Sequence, residues 1–256
     1  GRSETERTAA IRAMAMLMGE KWNGDRVGSI PVMPEFVHSS DYPCAGVFLG
    51  LTCQDIQPAV VDLRTNPFLL ISQTRTDDRV MILITKQILK KMEPKSIILS
   101  DSLPGLEIPI IQDMDVALEE LMPELQRRKD ALADSGLEIE KYPYIAVLIP
   151  DLKAAFDKVS NESMRRLNSI VLLGERLNVL LVVQGQAEDI NRLYHAGDAF
   201  TNSIVRQADA LLVGGKASAH SAIHANLSFT EQNMLLDEGQ GYWVENEETV
   251  KIKLLQ

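Results

Sequence analysis

The chain has 256 residues, a net charge of −10, 45% apolar and 24% charged residues, and a pI near 5.0. This composition is that of a globular protein long enough for one large α/β domain or two small ones. A DNA-binding surface needs clustered Lys and Arg, whereas only short pairs such as Arg127–Arg128 occur here. No apolar run is long enough to cross a bilayer. Two cysteines, Cys44 and Cys53, are too few for a disulfide scaffold, which favours a reducing compartment.

The first predicted element is a helix over residues 5–22, which ends at an Asn-Gly pair. A connector rich in Gly, Pro and Ser follows it. We therefore expect residues 1–44 to form a helix and connector that pack on a main domain of residues 45–256. The helix contains three closely spaced methionines, which suit packing on that domain or a flexible binding face: Met14, Met16 and Met18.

The rest of the chain alternates between strand-like and helix-like segments. Such alternation predicts an α/β fold with a mostly parallel sheet covered on both faces, and the chain end is predicted to form a β-hairpin with its turn at 245–248. The predicted strands are 46–51, 59–63, 67–72, 96–100, 144–149, 179–183 and 210–213. The predicted helices are 78–92, 113–134, 151–158, 161–176, 187–195 and 218–225.

One stretch, "PFLLISQTRTDDRVMILI" at 67–84, has the layout of a phosphate-binding loop: a strand, a polar loop and a helix. In a P-loop of pattern G-x-x-x-x-G-K-[ST], glycines let backbone N–H groups surround the phosphates, lysine reaches the outer phosphates and the hydroxyl holds Mg²⁺. Here none of these residue types stands at its place. The eight candidate positions are Gln73, Thr74, Arg75, Thr76, Asp77, Asp78, Arg79 and Val80.

Two further segments fit the same kind of site. "YIAVLIPDL" is an apolar strand that ends in Asp151, the layout of a Walker B strand, with Pro150 at the place of a preceding acid. "NVLLVVQGQAEDI" is a strand that ends in a polar residue, Gln186, which matches a sensor position.

The flanking segments carry a resemblance to a family. "SIPVMPE" (29–35), "GVFLGLTCQDIQPAVVDLRTNPFLLI", "ELMPELQRRKDAL" and "DEGQGYWVENEETVKIKL" follow one another as in the FtsK/SpoIIIE-type ATPase modules of type VII secretion motor proteins, the EssC/EccC type. The chain resembles the third, degenerate module of such a motor over about residues 7 to 254. The resemblance implies a P-loop NTPase-like fold of the RecA/FtsK type, with a central sheet flanked by helices and a C-terminal hairpin.

The departures from the motif all remove nucleotide chemistry. The loss of glycine restricts the backbone torsions that a phosphate cradle needs, Asp78 would face the phosphates, and neither Val80 nor Pro150 can bind Mg²⁺. We therefore expect a pseudo-ATPase that binds Mg-ATP weakly or not at all, with no other cofactor and no metal. The alternatives are an active or ATP-binding ATPase that drives protein export and, less favoured by the charge, a DNA translocase.

The resemblance also implies partners and a location. The module would dock secreted substrates (WXG-type proteins or their partners) and contact adjacent ATPase modules of the same chain, within a homohexamer. It would be a cytoplasmic module of a membrane-anchored bacterial protein. Neither the substrate nor its docking residues can be read from the sequence.

Other interpretations of single residues stay open. The 67–84 segment could be an ordinary strand, loop and helix without nucleotide ancestry. His220 and His224 have the spacing of metal ligands on a helix, but packing histidines are the simpler interpretation. Asp151 and Asp157 could form an acid/base pair, but an acid favoured by a helix N-terminus is the simpler interpretation of Asp151.

Overall fold

The computed structural model describes residues 4–21, 32–106, 113–135, 142–173, 177–246 and 248–256. The chain divides into two compact units, Gly1–Val32 and Met33–Gln256. The first contains helix α1 (Glu4–Lys21), whose described side chains are all exposed. The expected packing of residues 1–44 on the main domain stays a prediction. Within the described ranges, no helix is both long enough and apolar enough to span a membrane.

The second unit, in its described part, contains nine strands and seven α-helices. The strands are β1 (Val47–Thr52), β2 (Pro58–Val61), β3 (Phe68–Gln73), β4 (Ser96–Leu99), β5 (Ile145–Ile149), β6 (Val179–Gln186), β7 (Asp209–Val213), β8 (Gln240–Glu245) and β9 (Glu248–Leu254). The helices are α2 (Arg79–Met92), α3 (Met114–Ser135), α4 (Leu152–Lys158), α5 (Asn161–Leu173), α6 (Ala187–His195), α7 (Ala199–Gln207) and α8 (Phe229–Asn233).

All nine strands form one sheet, in the order β2-β1-β9-β8-β7-β3-β6-β5-β4. The five strands from β7 to β4 are parallel, and the four others join them as antiparallel neighbours. The predicted α/β fold is confirmed, including the C-terminal hairpin of β8 and β9. Strand β3 lies inside the parallel part, between β7 and β6, so the loop that follows it emerges within the carboxyl edge.

Each face of the sheet carries its own apolar core. Strand β3 alternates between them: Phe68 and Leu70 belong to one core, whereas Leu69 and Ile71 belong to the other. Because both faces are covered, β3, β5 and β6 are buried along nearly their whole length, and their sequences are continuous apolar runs. Each such side chain stabilises the fold by roughly 1.5–3 kcal/mol.

The structure differs from the prediction at three helices: one predicted helix is absent, and two observed helices were not predicted. The helix predicted over 218–225 is wrong: a single 3-10 turn, Ala217–Ala219, stands there, because His220 is buried at the carboxyl edge of the sheet. Helices α7 and α8 were not predicted. Helix α7 is short and begins at Asp198, whose carboxylate accepts from the Thr201 N–H at 2.7 Å, a local capping contact. The end of the helix predicted over 161–176 lies outside the described residues.

Candidate functional site

The candidate site is the loop between β3 and α2, at the carboxyl edge of the parallel strands. This edge is where open α/β sheets bind ligands. Asp78 occupies the N-cap position of α2 but makes no side-chain capping hydrogen bond. The strand–loop–helix arrangement predicted for Gln73–Val80 is therefore present.

The interior of the loop is filled by one of its own side chains. Gln73 is buried, with 3% of its surface exposed, and one end of its side-chain amide lies 3.3 and 2.9 Å from the carbonyl oxygens of Arg75 and Asp77. Two acceptors on that side fix the amide with its nitrogen toward them. A phosphate cradle presents backbone N–H groups to its ligand, whereas this loop turns two carbonyl oxygens to the Gln73 amide.

One of the two arginines of the loop, Arg79, is also engaged within it. The Arg79 guanidinium donates to both carboxylate oxygens of Asp77, with Nη2 at 2.7 Å from Oδ2 and Nε at 3.0 Å from Oδ1. The Arg79 backbone N–H donates to the same carboxylate at 3.0 Å. These hydrogen bonds from Arg79 lower the pKa of Asp77. Arg79 thus forms a bidentate pair at the position where an active P-loop has a lysine for phosphate.

Val80 stands where the magnesium-binding hydroxyl would be, and it is part of the core. Its side chain is 6% exposed and belongs to the same apolar cluster as Met81, Ile84 and Ile71. The first turn of helix α2 therefore packs against the sheet through Val80. A hydroxyl at this position would lie among apolar side chains.

Asp151, the predicted Walker B acid, begins helix α4. Its Oδ1 accepts from the Ala154 N–H at 3.0 Å, which makes it the N-cap of that helix. The side chain is exposed. Its position and contact fit an acid favoured by a helix N-terminus.

Two glutamines of β6 join the loop to the end of β5. Gln184 Nε2 donates to Asp78 Oδ1 at 3.2 Å and to Pro150 O at 3.1 Å, and Gln186 Nε2 donates to Thr76 Oγ1 at 3.1 Å. Strand β6 lies between β3 and β5, so the loop and the Pro150–Asp151 segment meet across it. Gln184 was missed by the sequence analysis, although a glutamine that directly follows the apolar run 179–183 is a signal of a buried polar contact.

A second buried contact stands beneath the loop. Ser72 Oγ and His220 Nδ1 are 2.7 Å apart, and His220 Nε2 lies 3.2 Å from the Gly214 carbonyl oxygen. Burial lowers the pKa of His220, which favours the neutral ring. The adjacent Gly215 has a φ of 65°, and a Cβ there would come within 2.6 Å of Thr74 Cγ2.

The histidine pair does not form a metal site. His220 lies beyond a 3-10 turn, with its ring nitrogens at Ser72 and Gly214, and His224 is exposed. Across the described residues, no group of three or more His, Cys, Asp or Glu side chains could hold a metal ion. The packing interpretation of His220 therefore accounts for its contacts.

The parallel sheet, the loop after β3 and the acid at the end of β5 define the class as a P-loop NTPase-like fold. Neither a protein-family profile nor a curated protein sequence matches the chain. Solved structures do match it over its whole length. They include the cytoplasmic domain of EssC (TM-score 0.73, 21% identity) and EssC (ATPases 2 and 3) from Geobacillus thermodenitrificans (TM-score 0.76, 22% identity).

A third similar structure is EccC (ATPases 2 and 3) from Thermomonospora curvata in complex with a signal sequence peptide (TM-score 0.65, 17% identity). All three matches cover 100% of this chain but only 54%, 51% and 49% of the matched chains. The chain thus has the fold of EssC and EccC ATPase domains and spans about half the length of those structures. At these identities the likeness establishes the fold.

Proposed function

We propose that this chain is a non-catalytic, ATPase-like module of a type VII secretion motor of the EssC/EccC type. The fold shared with EssC and EccC ATPase domains supports the placement in a motor. The contents of the loop support the loss of catalysis.

The observation that carries the proposal is the amide of Gln73 inside the loop. A triphosphate would have to displace it and would then face the carbonyls of Arg75 and Asp77. It would also meet the carboxylate of Asp78. One like-charge pair at about 4 Å costs roughly 4 kcal/mol at an effective dielectric constant near 20. Val80 packs in the apolar core and has no hydroxyl. Its position therefore cannot hold the Mg²⁺ that would offset this repulsion.

Calorimetric titration with Mg-ATP tests the proposal directly. We expect no saturable heat up to millimolar nucleotide, and no phosphate release by the chain or its Asp151→Ala variant. The competing function is an active ATPase that drives export. Micromolar Mg-ATP binding, or turnover that the Asp151→Ala variant loses, would establish that function and refute ours.

We further propose that the module acts in docking secreted substrates and in motor assembly. The similar EccC structure is described as a complex with a signal sequence peptide, which makes C-terminal signal segments of WXG-type proteins the first partners to test. Adjacent ATPase modules of the same chain, a homohexamer and attachment of the parent protein to a membrane belong to the same proposal.

Titration of labelled C-terminal peptides from candidate secreted proteins, followed by fluorescence anisotropy, separates docking from catalysis. We expect saturable binding of a cognate peptide that is equal with and without ATP. The same peptide with its sequence scrambled is the control. Equal binding of native and scrambled peptides would contradict a docking role.

A further inference from the structure

A thiol and an amine meet outside the candidate site, next to the start of β1. Cys44 Sγ and Lys91 Nζ lie 3.4 Å apart, although 47 positions separate the two residues in the sequence. Cys44 is a free cysteine in the segment that leads into β1, and Lys91 stands in the last turn of α2. Both residues belong to the compact unit Met33–Gln256, so their separation is set within one folded body.

One carbonyl oxygen holds both reactive atoms in place. The Cys44 thiol donates to Gly46 O at 3.3 Å, and Lys91 Nζ donates to the same oxygen at 2.6 Å. Lys91 Nζ also donates to the Cys44 carbonyl oxygen at 3.1 Å. A Cβ at Gly46 would lie 2.5 Å from the Val61 carbonyl oxygen, so glycine permits this close approach of β1 to β2. The pairing of the two strands therefore positions the sulfur and the nitrogen.

The surroundings leave this pair open to a small oxidant. Cys44 and Lys91 are both half-buried, and the residues on either side of the cysteine, Pro43 and Ala45, are exposed. The Cys44 side chain packs against a small apolar cluster around Val37. Cysteines that lie beside a lysine and remain partly accessible are the ones that peroxides oxidise most readily.

The second cysteine, Cys53, provides a comparison within the same chain. Burial raises the pKa of its thiol, and the charges of Lys251 and Lys253 offset only part of that effect. Because the thiolate is the form of cysteine that reacts with oxidants, we expect Cys53 to react slowly.

We propose that Cys44 and Lys91 form a reversible sulfur–nitrogen cross-link when the chain meets hydrogen peroxide. In the first step the Cys44 sulfur attacks one peroxide oxygen and the O–O bond breaks. The sulfur becomes a sulfenic acid, and the released hydroxide takes the thiol proton to form water. In the second step the unprotonated Lys91 amine attacks this sulfur and the S–O bond breaks. The departing hydroxide takes a proton from the nitrogen as water, which leaves a sulfenamide, the linkage that sulfenic acids also form with backbone nitrogen.

Excess thiol reverses the link. A first thiolate attacks the Cys44 sulfur, the S–N bond breaks and the Lys91 nitrogen takes up the proton of that thiol. A second thiol then releases Cys44 as the two attacking thiols form a disulfide. The cross-link joins the segment before β1 to the end of α2, the helix that begins at the candidate loop. The inference does not depend on the proposed function, because neither a nucleotide nor a secreted substrate takes part.

Peroxide treatment of the purified chain, followed by peptide mass spectrometry, tests the proposal. We expect a peptide pair that joins Cys44 to Lys91 and is about 2 Da lighter than the sum of its two peptides. Addition of dithiothreitol should restore the separate peptides. Cys44→Ser should abolish the pair, and Cys53→Ser should retain it.

A conservative variant identifies the nitrogen. Lys91→Arg keeps a positive charge and hydrogen-bond donors but replaces the amine by a guanidinium. In this variant Cys44 should stop at the sulfenic acid, about 16 Da heavier than the thiol, which dimedone traps. Lys90→Arg, at the exposed neighbouring position, is the matched control and should cross-link like the unmodified chain. Circular dichroism before oxidation checks that each variant is folded.

Four results would overturn the inference. Peroxide that leaves Cys44 unmodified would show that the thiol is not reactive. Oxidation of Cys44 to sulfinic or sulfonic acid without a linked peptide pair would show that Lys91 does not capture the sulfenic acid. A link that persists in Lys91→Arg would come from another nitrogen. Equal cross-linking of Cys53 to a lysine would show that the contact at Gly46 does not select the reacting pair.

Discussion

His220 makes the stability of this chain depend on pH near neutrality. Its ring is buried between Ser72 and Gly214, and desolvation lowers its pKa in the folded state. The unfolded chain therefore binds a proton at higher pH than the folded chain does. By linkage, this stabilising contribution is complete above the unfolded pKa, near 6.5, and is lost as the pH falls below it toward the folded pKa.

The expected size of the effect follows from the change in unfolding free energy per pH unit when the unfolded chain binds one more proton than the folded chain. Each pH unit below about 6.5 costs up to about 1.4 kcal/mol, so acidification from about pH 7 to 5.5 should lower the unfolding free energy by at most about 1 kcal/mol. Urea unfolding followed by fluorescence measures it, because Trp243 is buried in the native state.

A comparison of variants isolates this histidine. His220→Gln keeps a polar side chain without a titrating ring, so the stability difference between the unmodified chain and the variant should become smaller, by at most about 1 kcal/mol, over that pH range. The carboxylates with lowered pKa are common to both proteins and cancel in the difference. His224→Gln, at an exposed position, is the control. Parallel pH profiles for the unmodified chain and His220→Gln would refute the reasoning.

Two other buried contacts give predictions for the same unfolding assay. Gln87→Leu should lower the unfolding free energy by about 2–3 kcal/mol. The Gln87 amide accepts from the Phe48 N–H at 2.9 Å and donates to the Phe48 carbonyl at 2.8 Å, and both backbone groups would stay buried without a partner in the variant. A loss under about 1 kcal/mol would show that water replaces the amide. Arg128→Lys should lower the unfolding free energy by about 2 kcal/mol, because Arg128 is 2% exposed and donates to the Leu177 carbonyl at 2.7 Å. The control Arg127→Lys changes an exposed side chain and should alter stability by no more than about 0.5 kcal/mol. Equal losses in the two variants would contradict this account.

The elements of the fold could be predicted because their causes are local. Seven strands and the terminal hairpin appear in the sequence as apolar runs bounded by polar residues, and the loop after β3 is the polar interval between two such segments. The order of the strands is not local: β3 lies between β6 and β7, and no pattern in the sequence specifies that placement.

The contacts of the candidate site depend on that strand order. Asp78 and Gln184 are 106 positions apart, and Ser72 and His220 are 148 apart. The sequence analysis placed the loop and Gln186 in a candidate site and interpreted His220 as a packing residue, but it missed Gln184 and could not name the partners of His220. These contacts exist only once β3, β6 and β7 are neighbours. The helix predicted over 218–225 failed for the same reason, since a long-range contact of His220 prevails over local periodicity.

The filling of the loop by Gln73 leads to a prediction that one isosteric change can decide. In Gln73→Glu an oxygen replaces the nitrogen that faces the carbonyls of Arg75 and Asp77. A buried carboxylate facing two acceptors should cost about 2–3 kcal/mol at neutral pH. The carboxyl introduced at position 73 would have a folded pKa above its unfolded value near 4.3, so the deficit should shrink as the pH falls toward about 4.5.

Gln73→Met serves as the control for the loss of hydrogen bonds without charge, and its deficit should not respond to pH in this range. If the loop instead presents N–H groups inward, as a phosphate cradle does, the carboxylate of Gln73→Glu would be stabilised there. The variant would then be as stable as the unmodified chain at neutral pH and would lose stability on acidification. The sign of the pH dependence thus separates a loop lined by carbonyl oxygens from one that retains the polarity of an anion site.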